Sequence, residues 1–214
     1  MTQFEKTYNL MKKPWVIAIY AILVVLAYHF VDESLAVFLH QYDLRSNLYA
    51  LKLLTSFGAV AIYLILFLLM GLYFRYVRVN AANEAKALYL FACIIIPNLV
   101  CLVLKVIFSR ARPELLFSIN DFGFFWFESQ SLYWSFPSGH TTTIVSLAAG
   151  LGVLFPRYFY TLLALAVCVA LSRVLLYYHY LSDIMTAFYI SILVVGFFTQ
   201  YLKRNQYLSM ALKK

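Results

Sequence analysis

Long, almost uninterrupted runs of apolar residues alternate with short polar segments along this chain of 214 residues. Each run is close to the roughly 20 residues that a helix needs to cross the hydrocarbon layer. The runs are continuous, whereas a β-barrel would need alternating polarity, and a helix satisfies its own backbone hydrogen bonds in lipid. The pattern therefore predicts six membrane-spanning helices, at residues 14–31, 53–74, 87–108, 138–155, 158–178 and 184–202.

The composition agrees with this pattern. Apolar residues make up 64% of the chain and charged residues 12%, and the mean hydropathy is +0.81. One soluble core cannot bury that much apolar surface, so a single all-α integral membrane domain is predicted for residues 1–214. The first run follows two lysines, as in a signal peptide, but it is long and lacks a small-x-small cleavage site. We therefore interpret it as a retained first helix.

The distribution of positive charges predicts the orientation of the chain. Six spans put both termini on one side, and eleven of the 17 Lys and Arg residues, including Lys213 and Lys214, fall on that side. With two acids this side carries a net +9, whereas the other side, with six cations and seven acids, carries −1. The positive-inside rule then places both termini in the cytoplasm. The basic composition is thereby explained without nucleic-acid binding.

Three polar segments stand at predicted helix ends, and the first is K-x6-R-P, with Lys105, Arg112 and Pro113. An ammonium group inside an apolar helix is costly without a partner or a water-filled cavity, so Lys105 is either functional or extends to the interface. Pro113 stops the helix, and the planar guanidinium of Arg112 suits two oxygens of a phosphate. Arg110 could add a further contact in this segment or meet lipid headgroups, and contact with headgroups is the favoured interpretation.

The second segment is P-S-G-H, at residues 137–140, and it begins the fourth predicted span. Ser138 is a favoured N-cap and Gly139 lets the backbone approach an anion closely, so the free N–H groups and the helix dipole can hold a phosphate. His140 projects from the first turn toward the same place. Pro-Ser-Gly is also ordinary turn and cap chemistry, so this segment alone is not specific.

The third segment, S-R-x5-H-x3-D, contains Arg173, His179 and Asp183. Six residues at about 100° each would leave Arg173 and His179 on different faces of one helix, which predicts a turn through Tyr177 and Tyr178. His179 and Asp183 are four residues apart and share a helix face. The carboxylate can accept the Nδ1 proton and leave Nε2 as a nucleophile, although a proton relay or a structural hydrogen bond would use the same pair.

Together the three segments resemble the signature of the type 2 phosphatidic acid phosphatase (PAP2) superfamily, and the resemblance covers residues 50–202. It implies a PAP2-like helical bundle with its active site at the extracytoplasmic face, and a phosphatase that forms a phosphohistidine. His179 is then the nucleophile, His140 the general acid and base, and Asp183 the residue that orients His179. The residues implied to bind the phosphate oxygens are Lys105, Arg112, Ser138, Gly139 and Arg173.

The resemblance also implies a phosphorylated membrane lipid as substrate, and no metal or other cofactor, since fixed cations take the place of a metal. Undecaprenyl diphosphate is expected slightly ahead of a lipid A phosphate, and phosphatidylglycerophosphate and phosphatidic acid are further candidates. The compact length and the outward site are typical of a bacterial inner-membrane protein whose site faces the periplasm or the cell exterior. The alternatives are a lipid phosphotransferase with the same intermediate and, outside enzymes, a transporter or channel. The oligomeric state stays open.

Nine of the 23 residues between Pro113 and Pro137 are aromatic. Such a segment is expected to lie in the membrane interface rather than in water. The aromatic loop, residues 114–136, therefore either forms an entrance for a lipid headgroup or anchors the protein in the interface.

Overall fold

The structure is a computed structural model that describes residues 1–206, apart from the side chain of Asn47; Lys213 and Lys214 lie outside the described residues. The described part contains eleven α-helices and two short 3₁₀ turns, and no strand beyond one isolated bridge. The helices are α1 (Gln3–Met11), α2 (Pro14–Phe30), α3 (Asp32–Gln41), α4 (Leu44–Asn47), α5 (Tyr49–Ser56), α6 (Val60–Tyr76), α7 (Ala81–Phe108), α8 (Pro113–Ile119), α9 (Gly139–Leu154), α10 (Phe159–Leu175) and α11 (Leu181–Arg204).

Within the described residues, three helical segments are long and apolar enough to cross a membrane: α7, α10 with the 3₁₀ turn before it, and α11. Two more candidates are bent pairs, α1 with α2 at 76° and α5 with α6 at 41°. α9 is apolar but shorter. The fold class, an all-α integral membrane protein, is confirmed, whereas the count of six spans stays a prediction.

Two predicted elements differ from the observed ones. The span predicted at 53–74 is not one helix, because a break at residues 57–59 separates α5 from α6. Gly58 lies in this break, and glycine is among the weakest helix formers. The aromatic loop is partly helical, since it contains most of α8 and the 3₁₀ turn Ser131–Tyr133. Pro113 is the first residue of α8, a position that proline favours.

α9 is the central helix of the bundle and packs against α7, α10 and α11. Small residues on α9 permit this close packing. A Cβ atom on Gly150 would lie 3.1 Å from Leu90, and one on Gly152 would lie 2.4 Å from Phe159. Because successive spans run in opposite directions, the first turn of α9 lies at the same end as the last turns of α7 and α10 and the first turn of α11.

Candidate active site

The eight residues predicted for the site lie at helix ends and turns at this end of the bundle. Lys105 is in the last turn of α7 and Arg173 in the last turn of α10. Arg112 and Ser138 are the N-cap residues of α8 and α9. The remaining four lie in the first turn of α9, in the turn before α11 and in the first turn of α11: Gly139, His140, His179 and Asp183.

Three cations, which we call the cation cluster, gather around the first turn of α9: Lys105, Arg112 and Arg173. All three interact electrostatically with one another and with His140. The side chain of Arg112 donates no hydrogen bond to any described residue, and the Nε atoms of both arginines are buried without a partner in the described part of the chain. Guanidinium groups with free donors suit the oxygens of a phosphate.

Lys105 points into the site rather than along the lipid surface. Its Nζ atom donates to the carbonyl oxygen of Trp134, in the aromatic loop, at 2.6 Å. Gly139 lies next to this side chain, since a Cβ atom there would be 3.8 Å from the Cε atom of Lys105. The ammonium group thus has a partner within the protein, and a functional role for Lys105 stays a prediction.

The start of α9 provides backbone donors beside the cation cluster. Ser138 caps the helix, and its Oγ atom accepts hydrogen bonds from the backbone N–H and the hydroxyl group of Thr141, at 3.5 and 3.0 Å. The N–H groups of Gly139 and His140 begin the helix and have no acceptor one turn earlier. Free N–H groups at a helix start bind anions well, and here three cations stand next to them.

The turn that carries His179 has the predicted form. α10 ends before Tyr177, which adopts a left-handed conformation with φ of 43°. The backbone N–H groups of Tyr178 and His179 both donate to the carbonyl oxygen of Arg173, at 2.9 and 3.3 Å. The imidazole ring is thereby held at the start of α11, with only 4% of the residue exposed. The predicted turn through Tyr177 and Tyr178 is confirmed.

The hydrogen bonds around His179 determine its tautomer. The Nδ1 atom lies 3.4 Å from Oδ2 of Asp183 and 3.3 Å from Oγ of Ser135. Ser135 donates its only hydroxyl proton to the same Oδ2 atom, at 2.6 Å. An ionised carboxylate and a hydroxyl group whose proton is already engaged can only accept, so Nδ1 carries the proton. Nε2 then keeps a free lone pair, as a nucleophile requires.

The charge state of His179 favours the same chemistry. Burial lowers the pKa of His179 to about 3, and Arg173 and Lys105 act in the same direction, although the carboxylate of Asp183 opposes them. The imidazole ring is therefore neutral at physiological pH. Burial also lowers the pKa of Arg112, but its guanidinium group stays charged at any pH of interest.

His140 is placed by a residue that the sequence did not reveal as part of the site. Its ring makes no hydrogen bond to any described residue, and its side chain packs against the break between α5 and α6. A Cβ atom on Gly58 would lie 2.7 Å from Cβ of His140, a distance that real Cβ atoms do not show. The break thus provides room for His140 because Gly58, the residue in the break, has no side chain.

The prediction that Arg110 contacts lipid headgroups is wrong. The residue is fully buried, and its guanidinium group donates to Asp183 at 2.6 Å and to Asp32 at 2.9 Å. A buried guanidinium needs carboxylate partners, and two are provided here. The sequence shows only that Arg110 lies two residues before Arg112 and that Asp32 follows the first apolar run. Nothing in the sequence indicates that Arg110 and Asp32 contact each other. Ser135 likewise has no sequence feature that marks it as part of the site.

One end of an apolar helical bundle thus brings together two histidines, an aspartate, three clustered cations and the start of a central helix. They define an integral membrane protein with a site suited to a phosphate group. Residues 86–207 match the family model of the PAP2 superfamily, which is more than half of the chain. The chain belongs to the PAP2 superfamily.

Two curated relatives are named lipid A 1-phosphatase. The protein from Rhizobium etli (strain ATCC 51251 / DSM 11541 / JCM 21823 / NBRC 15573 / CFN 42) is 32% identical over 145 residues, which are 63% of this chain and 62% of the relative. The protein from Rhizobium johnstonii (strain DSM 114642 / LMG 32736 / 3841) is 35% identical over 113 residues, 50% of this chain and 46% of the relative. The chain thus spans less than two thirds of the length of both relatives.

Among solved structures, the chain is similar to a PAP2-type phosphatidylglycerolphosphate phosphatase from Bacillus subtilis. The TM-score is 0.45 at 15% sequence identity, and the similarity covers 94% of this chain and 92% of the other.

Proposed function

We propose that the chain is a phosphatase that removes a phosphate group from a membrane lipid through a phosphohistidine intermediate. The observation that carries the proposal is the neutral, buried His179, which has a free Nε2 atom and lies within electrostatic reach of two members of the cation cluster. A nucleophile beside fixed cations suits a reacting phosphorus atom that is surrounded by negatively charged oxygens.

In the first step, Nε2 of His179 attacks phosphorus while the bond from phosphorus to the bridging oxygen of the lipid breaks. This oxygen leaves with the bonding electron pair and takes a proton from His140. His140 must carry this proton when the step begins, and the negative charge of the bound phosphate is needed to offset the three cations that oppose its protonation. The imidazole of His179 becomes positively charged, and the carboxylate of Asp183 stabilises that charge near Nδ1. In the second step, His140 takes a proton from water and the water oxygen forms a bond to phosphorus. The bond between phosphorus and Nε2 breaks, its electron pair returns to Nε2, and inorganic phosphate leaves a neutral His179.

The remaining site residues bind the phosphate. The cation cluster and the N–H group of Gly139 are placed to hold the equatorial oxygens, where charge accumulates in the transition state. Ser138 contributes as the cap that fixes the first turn of α9. The proposal needs no metal ion, since the fixed cations provide the charge that a metal would supply.

An apolar groove supports a lipid substrate. The groove has a volume of about 410 Å³, lies between α6 and α7, and extends to Lys105 and Gly139. Leu64 on α6 and Leu99 on α7 are among its lining residues. A hydrocarbon chain in this groove would have its phosphate at the cation cluster. Together with the charge distribution along the chain, this arrangement supports a site at the outer face of the bacterial inner membrane, with both termini in the cytoplasm.

We rank lipid A 1-phosphate first among the substrates, because both curated relatives carry the name lipid A 1-phosphatase. Undecaprenyl diphosphate, the first candidate from the sequence alone, becomes the second candidate. The observation that favours it is Arg45, whose guanidinium group lies 4.2 Å from the ring of Tyr178. The same ring lies 4.2 Å from the guanidinium group of Arg173, so Arg45 adds a positive charge for a second phosphate.

The experiment is a comparison of lipids on the purified protein. Lipid A 1-phosphate, undecaprenyl diphosphate, phosphatidylglycerophosphate and phosphatidic acid are supplied one at a time, without an acceptor lipid, and inorganic phosphate is measured. We expect release from lipid A 1-phosphate at the highest kcat/KM. Transfer of labelled phosphate only when an acceptor lipid is added would instead identify a phosphotransferase. Neither release nor transfer with any of the four lipids would contradict both functions.

A further inference from the structure

A buried ionic network lies directly behind the site. Arg110 donates from Nη1 to Oδ1 of Asp183 at 2.6 Å, and to the hydroxyl group of Ser182 at 2.7 Å. Its Nη2 atom donates to Oδ2 of Asp32 at 2.9 Å. Asp32 also accepts from the backbone N–H of Ser182 at 3.0 Å and from its hydroxyl group. The side chains of Arg110, Asp32 and Asp183 are all fully buried.

The two carboxylate oxygens of Asp183 have different partners. Oδ2 faces the nucleophile and accepts from Ser135 and from the backbone N–H of Tyr180, at 2.6 and 3.0 Å. Oδ1 accepts from Arg110 on the opposite side. A carboxylate held at both oxygens cannot rotate, and rotation would carry Oδ2 away from Nδ1 of His179. Arg110 thus controls the orientation of the group that supports the nucleophile.

Aromatic rings complete the surroundings of the guanidinium group. Its central carbon lies 4.2 Å from the ring of Tyr180 and 4.9 Å from that of Tyr28. The rings of Phe122 and Phe124 follow at 5.5 and 5.4 Å. Rings at these distances favour a cation and exclude water, which strengthens the ion pairs of Arg110.

We propose that Arg110, held by Asp32, is a positioning residue that keeps Asp183 ionised and oriented toward His179. Arg110 acts through Asp183 and has no direct contact with the phosphate, which the cation cluster binds. Asp32 acts one step further away and determines where the guanidinium group points. This inference rests on the proposed phosphatase function, because the effect is expressed in the attack by His179.

A purely structural role is the alternative, since a buried ion pair that loses one partner destabilises a fold by itself. The two roles differ in what they change. Substitution of a positioning residue lowers kcat and leaves binding of phosphate intact. Substitution of a purely structural residue instead lowers thermal stability and the fraction of folded protein. A misplacement of about 1 Å is enough to cost about 100-fold in rate.

The test uses the full chain purified in detergent and the lipid that it hydrolyses fastest. We expect Arg110→Gln to lower kcat by about 100-fold while KM changes by less than about threefold. Arg110→Lys keeps the charge but cannot reach both carboxylates, and we expect it to recover part of the loss. Asp32→Asn, which retains a hydrogen-bonding side chain of the same shape, is expected to lower kcat by about tenfold.

The controls separate this inference from the proposed function. Glu33→Gln, at the exposed neighbour of Asp32, and Arg78→Gln, at an exposed arginine, should leave kcat unchanged. Binding of inorganic phosphate, measured by calorimetry on each variant, should equal that of the unmodified protein. The double variant Arg110→Gln with Asp32→Asn should be no slower than Arg110→Gln, because Asp32 acts only through Arg110.

Three results would overturn the inference. These are equal kcat in folded Arg110→Gln and the unmodified protein, a rise of KM in place of a fall of kcat, and a loss that the melting temperature fully explains. If Arg110→Gln does not fold, the variant Asp32→Asn decides whether the inference stands. The inference requires Asp32 to orient the guanidinium group of Arg110, so an unchanged kcat in Asp32→Asn would contradict it. An unmodified protein that hydrolyses no lipid would defeat the proposed function instead, whatever the variants do.

Discussion

The hydroxyl group of Ser135 lies beside both Asp183 and His179 and couples them. At 3.4 Å the carboxylate alone would hold the imidazole ring only loosely. With Ser135 at 2.6 Å from the carboxylate and 3.3 Å from Nδ1, the proton on Nδ1 has two acceptors on the same side of the ring. The free lone pair on Nε2 of His179 thus depends on Ser135 as well as on the pair of His179 and Asp183 that the sequence spacing indicates.

The first prediction concerns His179 itself. His179→Ala should lower turnover by at least about 10³-fold, because the attacking atom is lost, and it should abolish the acid-labile phosphoenzyme. The measurement is rapid acid-free quenching after mixing with labelled lipid, followed by gel separation. His29→Ala is the matched control, since His29 is exposed. Retention of a labelled, acid-labile protein in His179→Ala would show that another residue is the nucleophile.

The second prediction concerns pH. Because the pKa of His179 is lowered to about 3, its protonation should reduce activity only as the pH approaches that value. A solvated histidine would instead lose its nucleophile below about pH 6.5. The rate of phosphoenzyme formation with p-nitrophenyl phosphate isolates His179, because this leaving group needs little proton donation from His140. We expect no fall between about pH 8 and about pH 5. A midpoint near that of a solvated histidine would disprove the burial argument.

At the scale of elements, the site depends on helix ends that the sequence partly reveals. The turn between α10 and α11 was predictable, because helix geometry separates Arg173 from His179. The start of α9 was predictable from Ser138 and Gly139. The break between α5 and α6 was not predicted, and neither was the residue that packs against it, because His140 belongs to a segment far away in the chain. Periodicity within one segment carries no information about such a contact.

The third prediction tests that break. Gly58→Ala should displace His140 and lower kcat by about tenfold, because the added methyl group would lie 2.7 Å from Cβ of His140. A phosphate leaving group needs a proton less than an alkoxide does, so the loss should be larger for monoesters than for diphosphates, as it should be for His140→Ala. Gly71→Ala on α6 is the control, since its added methyl group meets Leu88 at an ordinary 3.4 Å. Equal losses on both substrate types would argue against His140 as the proton donor.

At the scale of the whole molecule, segments outside the family match complete the site. The match begins at residue 86, yet Asp32 binds Arg110 and Thr55 accepts from Arg173 at 3.0 Å. Asp32 and Arg110 are 78 positions apart in the chain. The class of the protein, an all-α membrane protein, followed from hydropathy alone, because a continuous apolar run in lipid must form a helix to satisfy its backbone hydrogen bonds. Pairing across 78 positions did not follow, since it depends on how the helices pack.

The fourth prediction concerns the orientation of the molecule in the membrane. The charge distribution predicts that the aromatic loop lies outside and the α6–α7 connection inside, so single cysteines in the two segments should react from opposite sides. The background is Cys168→Ala, because Cys93 and Cys101 are buried. Ser129→Cys in the aromatic loop and Arg78→Cys between α6 and α7 replace exposed residues. A membrane-impermeant maleimide added to intact spheroplasts should label Ser129→Cys alone, and both variants after lysis. Labelling of Arg78→Cys alone in intact spheroplasts would place the site on the cytoplasmic face and exclude outward-facing lipids as its substrates.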